Sequence, residues 1–547
     1  MSQPEMSQPE MSQPEMSQPN RPRAARLLAA VPAGWLEGLA GSGVLLGLWE
    51  LMTAVVFPGR HVVPPPAQVV AVMFHDGFYL SSLGTTLSEA GRGWLIGNVA
   101  AVAFAVLALF VPRLSKTLQQ FGAITYCVPT VAIGPLILIF AGPDATKVAI
   151  AALSVFFVSL IAWMTGLRAT DQASLDLVHA YGGGRLTELV RVRLRAALPS
   201  ASGGLALSAP AAILGAIIGE YLGGTHGLGV AMVSAEESFQ VARTWSIGIV
   251  ATGVSGLAYG LILLVVRRLG GDPQVGTVAG AVVHDSSARR SVLERVGRLA
   301  GPVVSLGVIV AIWALALKAF SLSSYFAKSP AAVWSFLFTG PSSTAHRSAV
   351  FQALGVTMHD AMLGWLVGTG AALVGAAVLV QLPRVRAAIF PMVMTLRSVP
   401  LIAMTPLIAL VFGQGVTGVT VIAAIVTFVP SLVLVASGLE SAPPQAIELA
   451  RAYNLSSMGT LVRIRVRYAT PSLFAAAKIA MPGAILGAIL AEWLITGSGI
   501  GHLMAASLIG SNYGVLWASV VVASAVSLVL YEVVGSFEGV AQRRLAS

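Results

Sequence analysis

The chain has 547 residues, of which 56% are hydrophobic and only 10% are charged. Soluble proteins carry about a quarter charged residues, so this composition excludes an ordinary soluble enzyme and predicts an integral membrane protein. The net charge is +10. Because the basic residues lie between apolar runs, we interpret that charge as a membrane-topology signal, and no nucleic-acid partner is expected.

The residues that could form covalent or metal cross-links are few. Cys127 is the single cysteine, which excludes disulfides and thiolate metal clusters. The eight histidines are scattered along the chain, so no metal site is predicted.

The polar N-terminal tail spans residues 1–34 and begins with MSQPE repeated three times and then varied. Such a segment cannot bury enough apolar surface to fold, so it is predicted to be disordered. It is also too polar for a secretory signal.

Apolar runs near the bilayer-spanning length of about 20 residues follow the tail. The first repeat, residues 35–268, contains six of them, at 38–57, 90–111, 122–140, 148–167, 203–222 and 245–266. A cytoplasmic linker is predicted over 269–298. The second repeat, 299–541, contains six more, at 300–320, 361–382, 391–412, 417–438, 475–494 and 515–534, and a short tail covers 542–547.

The two halves are copies of one unit. AILGAIIGEYLGGTHGLG starts at Ala212, and AILGAILAEWLITGSGIG starts 272 residues later, at Ala484. Upstream the offset is 271, where Pro129 matches Pro400. This period is far longer than that of solenoid repeats, so each copy is domain-sized. We therefore predict an all-α membrane protein of about twelve transmembrane helices, arranged as two parallel six-helix repeats.

The orientation follows from the Lys/Arg bias. All the basic clusters fall on one side of the predicted spans, which assigns that side, with both termini, to the cytoplasm. These clusters include Arg21, Arg23, Arg26, Arg113, Lys116, Arg168, Arg185, Arg191, Arg193, Arg195, Arg267, Arg268, Arg289, Arg290, Arg543 and Arg544.

The loop between the fourth and fifth spans is duplicated as well. It reads DLVHAYGGGRLTELVRVRLRAALPS from Asp176 to Ser200, and ELARAYNLSSMGTLVRIRVRYATPS from Glu448 to Ser472. Both segments resemble the EAA loop of ATP-binding-cassette (ABC) importer permeases. Together with Arg397-Ser398-Val399-Pro400 and the two glutamates followed by Gly-Leu-Gly or Gly-Ile-Gly, they resemble the type I branch for nitrate, sulfonate, taurine and thiamine precursors.

That resemblance implies two permease units fused in one chain of a bacterial cytoplasmic membrane. It implies that the duplicated loops couple the permease to ATPase subunits. The matching residues are Asp176, Leu177, Tyr181, Gly182, Leu186, Glu448, Leu449, Ala450, Tyr453, Asn454 and Met458. Asn454 stands where the first copy has Gly182, a replacement we expect to be tolerated because asparagine also enters left-handed turns.

The chain has no GxxxxGK[ST] phosphate-binding loop, so it is not expected to be an enzyme or to hold a cofactor itself. ATP and magnesium would belong to partner ATPase subunits. The resemblance implies two copies of that ATPase, an extracytoplasmic solute-binding protein, the lipid bilayer and a small-molecule solute as partners.

The candidate residues of the translocation path or gate are Glu220, Glu492, Arg397, Pro129 and Pro400. The two glutamates lie near the outer ends of the fifth spans, and we interpret them as gate or binding-protein contacts. The alternative is that they sit in interfacial water. Arg397 matches Tyr126 of the first copy, so it either captures an anionic solute or extends to the cytoplasmic surface.

Two other functional classes stay open. An ion-coupled secondary carrier is also built from six plus six helices, but it requires ion ligands within the membrane and no duplicated coupling loop. A receptor or channel scaffold is the third class. The sequence does not identify the solute.

Overall fold

The computed structural model describes residues 63–268, 292–383 and 401–546, except 76, 78 and 320. A few further positions between 43 and 56 and between 385 and 393 are also described. All regular structure in these ranges is helical. This agrees with the predicted all-α class.

The described part of the first repeat after the π-helical turn at Met52–Val56 contains eight helices. They are α1 Pro66–His75, α2 Tyr79–Phe110, α3 Pro112–Cys127, α4 Thr130–Arg168, α5 Gln172–Ala180, α6 Arg185–Gly223, α7 Leu228–Glu237 and α8 Val241–Arg268.

The second repeat follows the same order. Its helices are α9 Val292–Ala319, α10 Pro330–Thr339, α11 Ser343–Gln381, α12 Leu401–Phe412, α13 Val416–Glu440, α14 Pro444–Ala452, α15 Ser457–Ile495, α16 Gly499–Ile509 and α17 Tyr513–Ala546. Helix α9 begins inside the stretch predicted as linker, and α17 continues into the predicted C-terminal tail.

Eight of the described helices are long and apolar enough to cross a membrane. They are α2, α4, α6, α8, α11, α13, α15 and the Tyr513–Phe537 part of α17. They contain the second, fourth, fifth and sixth predicted spans of each repeat. Much of spans 38–57 and 391–412 lies outside the described residues, and the apolar part of α9, Leu306–Ala319, is shorter. The total of twelve therefore stays a prediction.

The third span of the first repeat is not one helix. Val128 and Pro129 are both extended and separate α3 from α4. Proline disfavours helical geometry in the residue before it, so the chain breaks here. The span predicted over 122–140 is therefore divided between the end of α3 and the start of α4. A further break lies inside α4 at Gly142, where φ is 77°. Its repeat counterpart Gly413 has φ of 87°.

Close helix packing explains two glycines that the repeats share. A Cβ on Gly93 of α2 would lie 2.4 Å from the Ala151 Cβ of α4, and one on Gly364 of α11 would lie 2.3 Å from the Ala423 Cβ of α13. Small residues let transmembrane helices approach to backbone contact. This close contact between the second and fourth spans is therefore present in both halves.

The repeats also contribute to each other's cores. Ala132 and Leu136 of α4 pack into the apolar cluster of the second repeat, and Leu490 of α15 packs into that of the first. Phe140 of α4 also contacts the second repeat, with its ring centroid 5.7 Å from that of Trp517. The two halves thus form one packed body with a shared interface.

Candidate functional site

A cavity of about 790 Å³ lies at the interface between the repeats. The first repeat contributes α3, α4, α6 and α8 to its wall, and the second contributes α13 and α15. Its described wall includes Tyr126, Cys127, Pro129, Ser154, Phe157, Pro210, Leu214, Ile218, Tyr259, Leu263, Arg267, Val426, Pro430, Ile479, Pro482 and Leu486. A cavity at a repeat interface is where transporters hold their solutes.

Pro129, one of the predicted path residues, is in this wall, beside the break between α3 and α4. Its repeat counterpart Pro400 and the nearby Arg397 lie outside the described residues. The anion role for Arg397 therefore stays a prediction.

Three wall residues are prolines inside helices, namely Pro210 in α6, Pro430 in α13 and Pro482 in α15. Proline has no N–H group to donate to the carbonyl four residues earlier. Each of these helices therefore lacks one backbone hydrogen bond beside the cavity.

The polar side chains of the wall are mostly engaged by backbone. The Thr125 hydroxyl donates to the Phe121 carbonyl at 2.9 Å, and the Ser154 hydroxyl donates to the Ile150 carbonyl at 2.9 Å. The Tyr126 hydroxyl crosses the interface and donates to the Ile479 carbonyl at 3.1 Å. Among the described lining residues Arg267, near the end of α8, is the one that carries a full charge.

Glu220 is held in a closed hydrogen-bond cluster at the end of α6. Its carboxylate accepts from the Thr86 hydroxyl at 2.6 Å and from the Gly229 N–H at 2.7 Å. The Thr86 oxygen in turn accepts from the Leu228 N–H at 2.9 Å. These bonds pin the start of α7 against α2 and α6.

Glu492 repeats this cluster in the second half. Its carboxylate accepts from the Thr357 hydroxyl at 2.7 Å and from the Gly501 N–H at 2.9 Å. The Thr357 oxygen accepts from the Ile500 N–H at 2.8 Å. We call the two groups the outer carboxylate clusters.

Both glutamates are 1% exposed. A carboxylate in interfacial water would be accessible, so that interpretation is wrong for Glu220 and for Glu492. Direct contact with a binding protein is equally ruled out in this conformation, because α7 and α16 cover the side chains. Of the expected roles, a gate role stays a prediction. The threonines were missed, although Thr86 and Thr357 match at the repeat offset of 271.

Glycine is required where the loops close over these carboxylates. Gly499 has φ of 90°, and a Cβ there would lie 2.1 Å from the Glu492 carboxyl carbon. Gly227 has φ of 118°, and a Cβ there would lie 2.2 Å from the Glu220 carboxyl carbon. Left-handed conformations with no room for Cβ admit glycine alone.

We expect Gly499→Ala to lower the free energy of unfolding by about 3 kcal/mol, from left-handed strain and a lost buried hydrogen bond. Gly497→Ala is the matched control, because nothing lies within 4 Å of a Cβ at Gly497. The control should change stability by less than about 0.5 kcal/mol. Thermal unfolding of the purified variants measures both changes. Equal melting temperatures would contradict the requirement for glycine at position 499.

The first outer carboxylate cluster continues into a buried ion pair. The Lys147 amine lies 2.7 Å from a Glu89 carboxylate oxygen, with side chains 3% and 6% exposed. Glu89 therefore faces α4. A lysine within an apolar run was the available signal.

The second cluster has no equivalent pair. Asp360 stands at the Glu89 position and is buried. Its carboxylate contacts the His359 ring nitrogen at 2.9 Å. Gly418 replaces Lys147, and a Cβ at Gly418 would lie 2.1 Å from the Gly413 carbonyl oxygen. The two halves therefore differ in charge at the same depth.

The duplicated loops form short helices with exposed apolar residues. Leu177 on α5 is 59% exposed and Leu449 on α14 is 58% exposed. The other predicted coupling residues that are exposed are Asp176, Tyr181, Gly182, Leu186, Glu448, Tyr453, Asn454 and Met458. Ala450 is buried, so it packs inside the fold and does not face a partner.

Both short helices end in a left-handed residue. Gly182 has φ of 73° and Asn454 has φ of 51°. The expectation that asparagine replaces the motif glycine in this turn is confirmed.

A π-helical turn follows each loop, at Leu189–Arg193 in α6 and Leu461–Arg465 in α15. Such turns frequently occur at functional positions. The Arg193 guanidinium donates to the Leu167 carbonyl at 3.1 Å, and the Arg465 guanidinium donates to the Leu439 carbonyl at 3.1 Å. Each arginine ties its loop to the end of the fourth span.

The first loop carries an extra contact. Glu188 is buried and accepts from His179 and from Arg193, while Thr460 occupies its place in the second repeat. Helix α5 is therefore tied directly to the following turn.

Comparison with known proteins shows which family this chain resembles. The family model described as "Binding-protein-dependent transport system inner membrane component" matches residues 95–270 and 364–547. A probable ABC transporter permease protein of Haemophilus influenzae is 28% identical over 234 residues, which are 43% of this chain and 93% of the relative. The putative aliphatic sulfonates transport permease protein of Bacillus subtilis is 25% identical, over 43% of this chain and 87% of the relative.

A third relative is the formylaminopyrimidine transport permease protein of Halalkalibacterium halodurans, which is 25% identical over 34% of this chain and 75% of its own length. Each relative aligns over most of its own length with less than half of this chain, whereas the family model matches both halves. The chain therefore belongs to the family of binding-protein-dependent transport system inner membrane components and joins two permease units in one polypeptide.

Proposed function

We propose that this permease serves an ABC importer whose ATP hydrolysis takes place on separate ATPase subunits. The observation that carries the proposal is the duplicated loop. Helices α5 and α14 expose equivalent leucines and tyrosines, although each is anchored to the membrane part of its repeat. Exposed apolar residues at equivalent positions are typical of a surface that a partner covers.

One ATPase copy would bind each loop, and magnesium-ATP would lie between those subunits. When they close, α5 and α14 move together. Arg193 and Arg465 link each loop to the end of a fourth span, at Leu167 and Leu439. Motion at the loops is thereby passed to α4 and α13, which line the central cavity.

The cavity is the proposed translocation path, and the outer carboxylate clusters are its gate elements. Glu220 and Glu492 hold the glycine loops against the membrane helices in this conformation. Opening the path outward would release these loops. Pro129, in the cavity wall, provides the helix break that widens the path at mid-span.

The basic loops support an orientation with both termini in the cytoplasm of a bacterium. The coupling loops then face the ATPase, and α7 and α16 lie toward the side where a solute-binding protein docks. The two relatives named for their solutes transport chemically different compounds, an aliphatic sulfonate and a formylaminopyrimidine. They do not select one solute for this chain.

The discriminating experiment is uptake into proteoliposomes that contain the permease, its ATPase and the loaded binding protein. We expect uptake to require ATP and to persist when ionophores dissipate proton and sodium gradients. Uptake that proceeds without any ATPase and stops with the ionophore would instead establish an ion-coupled secondary carrier. Omitting the binding protein is the control, and it should reduce ATP-driven uptake to background.

A further inference from the structure

Each half of the permease has a tight turn on the predicted outer side, just before its last transmembrane helix. We call residues 237–240, between α7 and α8, the first outer corner, and residues 509–512, between α16 and α17, the second outer corner. Phe239 is 85% exposed at the first corner and Ile509 is 87% exposed at the second. Single exposed apolar residues are common on protein surfaces, so this exposure alone identifies no site.

The backbone of the first outer corner provides a second observation. Phe239 has a left-handed φ of 54°, and Ser511 has the matching φ of 53° in the second half. Gln240 and Asn512 close the two turns, each donating its N–H at 2.8 Å to the carbonyl five residues earlier. Glycine is usual at such a left-handed position, and a bulky side chain there is strained. Because strain of this kind persists mainly at functional sites, we expect the exposed ring to have a partner.

The surroundings of both corners suit a protein partner better than lipid. The residues beside Phe239 and Ile509 are exposed and either polar or glycine, namely Glu237, Ser238, Gln240, Gly510, Ser511 and Asn512. A carboxylate or an amide that faced acyl chains would lose its water without compensating hydrogen bonds. Both corners therefore face water at the outer boundary of the membrane.

Two exposed carboxylates flank the first outer carboxylate cluster. The side chain of Asp144 is 93% exposed and lies 3.4 Å from the Lys147 amine. Glu237 is exposed and follows Glu236, whose carboxylate accepts from the Tyr221 hydroxyl at 3.0 Å. The outer surface of the first half is therefore acidic on both sides of this cluster.

The equivalent positions of the second half are uncharged. The titratable residues of the first half and their counterparts are Asp144 and Gly415, His226 and Ser498, Glu237 and Ile509, and Arg243 and Val515. Arg243 is half-buried and donates to the Gln240 side chain at 2.9 Å. The first outer corner thus presents an aromatic ring beside exposed carboxylates, whereas the second presents Ile509 among neutral groups.

From these differences we infer that the solute-binding protein docks on this permease in one fixed orientation. Such proteins have two lobes that close around the solute. One lobe covers Phe239 and offers basic side chains to Asp144 and Glu237, while the other has a neutral, apolar contact surface and covers Ile509. The reversed orientation would bury Glu237 against an apolar surface, which carries a desolvation cost. The inference rests on the proposed function, because it takes the binding protein as the partner on this side.

Site-directed photo-crosslinking tests the orientation. Ser238→Cys and Gly510→Cys are exposed, equivalent positions that leave Phe239 and Ile509 in place. Each is made on a Cys127→Ala background, labelled with benzophenone maleimide, and assembled in nanodiscs with the ATPase and the cognate binding protein, purified with its own solute. Mass spectrometry of the crosslinked peptides identifies the lobe. We expect position 238 to crosslink to one lobe only and position 510 to the other lobe only.

The control for crosslinking is Ser457→Cys, an exposed position on the predicted cytoplasmic side, which should give no product with the binding protein. Charge variants test the contact itself. Glu237→Lys should raise the Kd of the binding protein by about tenfold at low salt, because like charges then meet, and high salt should reduce the difference. Glu237→Gln keeps the shape and should raise the Kd by about threefold. Co-purification of the ATPase should be unchanged in both variants.

Crosslinks from both positions to the same lobe, or from each position to both lobes, would overturn the fixed orientation. Crosslinks to lipid alone would also overturn it, since the corners would then face the bilayer. The proteoliposome measurement separates this inference from the proposed function. Uptake that needs ATP and the binding protein, together with mixed crosslinks, rejects the orientation alone. Crosslinks specific for one lobe at each position, together with uptake that needs no ATPase, reject the ATP-driven function alone.

Discussion

The double variant Leu177→Asp, Leu449→Asp is expected to insert and fold normally but to lose its ATPase subunits and its transport activity. Both leucines are more than half exposed, so aspartate costs little in the isolated permease. In an apolar groove of a partner, however, each unpaired carboxylate carries a large desolvation cost. Co-purification of the ATPase and its stimulation by loaded binding protein are the measurements, and both should fall to background.

Two controls make this result specific. Leu177→Met with Leu449→Met keeps the apolar surface and should retain the ATPase. Phe239→Asp is an equally drastic change at an 85% exposed residue between α7 and α8, on the predicted outer side. It should leave co-purification unchanged. If Phe239→Asp removes the ATPase while the leucine variant retains it, the proposed orientation is reversed.

Lys147→Met is expected to destabilise the permease by about 3–5 kcal/mol, because it leaves the buried Glu89 carboxylate without its partner. The Lys147 amine and the Glu89 carboxylate are 2.7 Å apart and nearly inaccessible to water. Denaturant unfolding in detergent, followed by tryptophan fluorescence, gives the change in the free energy of unfolding.

The paired variant Glu89→Gln, Lys147→Met removes both charges and should recover most of that loss, since buried ion pairs are often replaceable by neutral groups. Arg92→Met is the surface control. Arg92 is exposed and its guanidinium donates to the carbonyl and the hydroxyl of Ser88 on its own helix, so its loss should cost less than about 1 kcal/mol. A single variant at Lys147 as stable as wild type would show that Glu89 does not need the amine.

Much of the architecture is readable from the sequence because lipid imposes simple constraints. Long apolar runs predict helices, and the repeat predicts equivalent packing at Gly93 and Gly364. The left-handed turns at Gly182 and Asn454 follow from residue type alone. These features depend on local chemistry and on the offset between the copies, both of which the sequence contains.

Contacts between residues that are distant in the sequence were harder to predict. Glu89 has Arg92 one helical turn away, so the sequence favours a local pair, yet tertiary packing joins Glu89 to Lys147, 58 residues later. The bonds of Arg193 and Arg465 to the fourth spans were not predicted, because a π-helical turn changes which side chains share a face. Their hydrogen bonds to distant carbonyls depend on how helices cross, which periodicity does not reveal.

Lys147 has no counterpart lysine in the second half of the permease, a difference that a pair of identical subunits cannot have. Two identical subunits must carry a residue on both sides or on neither. Here Lys147 neutralises acid in one half, while Gly418 leaves Asp360 and Glu492 without a lysine in the other. Covalent fusion thus allows the two proposed gate elements to differ in charge, so opening them need not have the same free-energy cost.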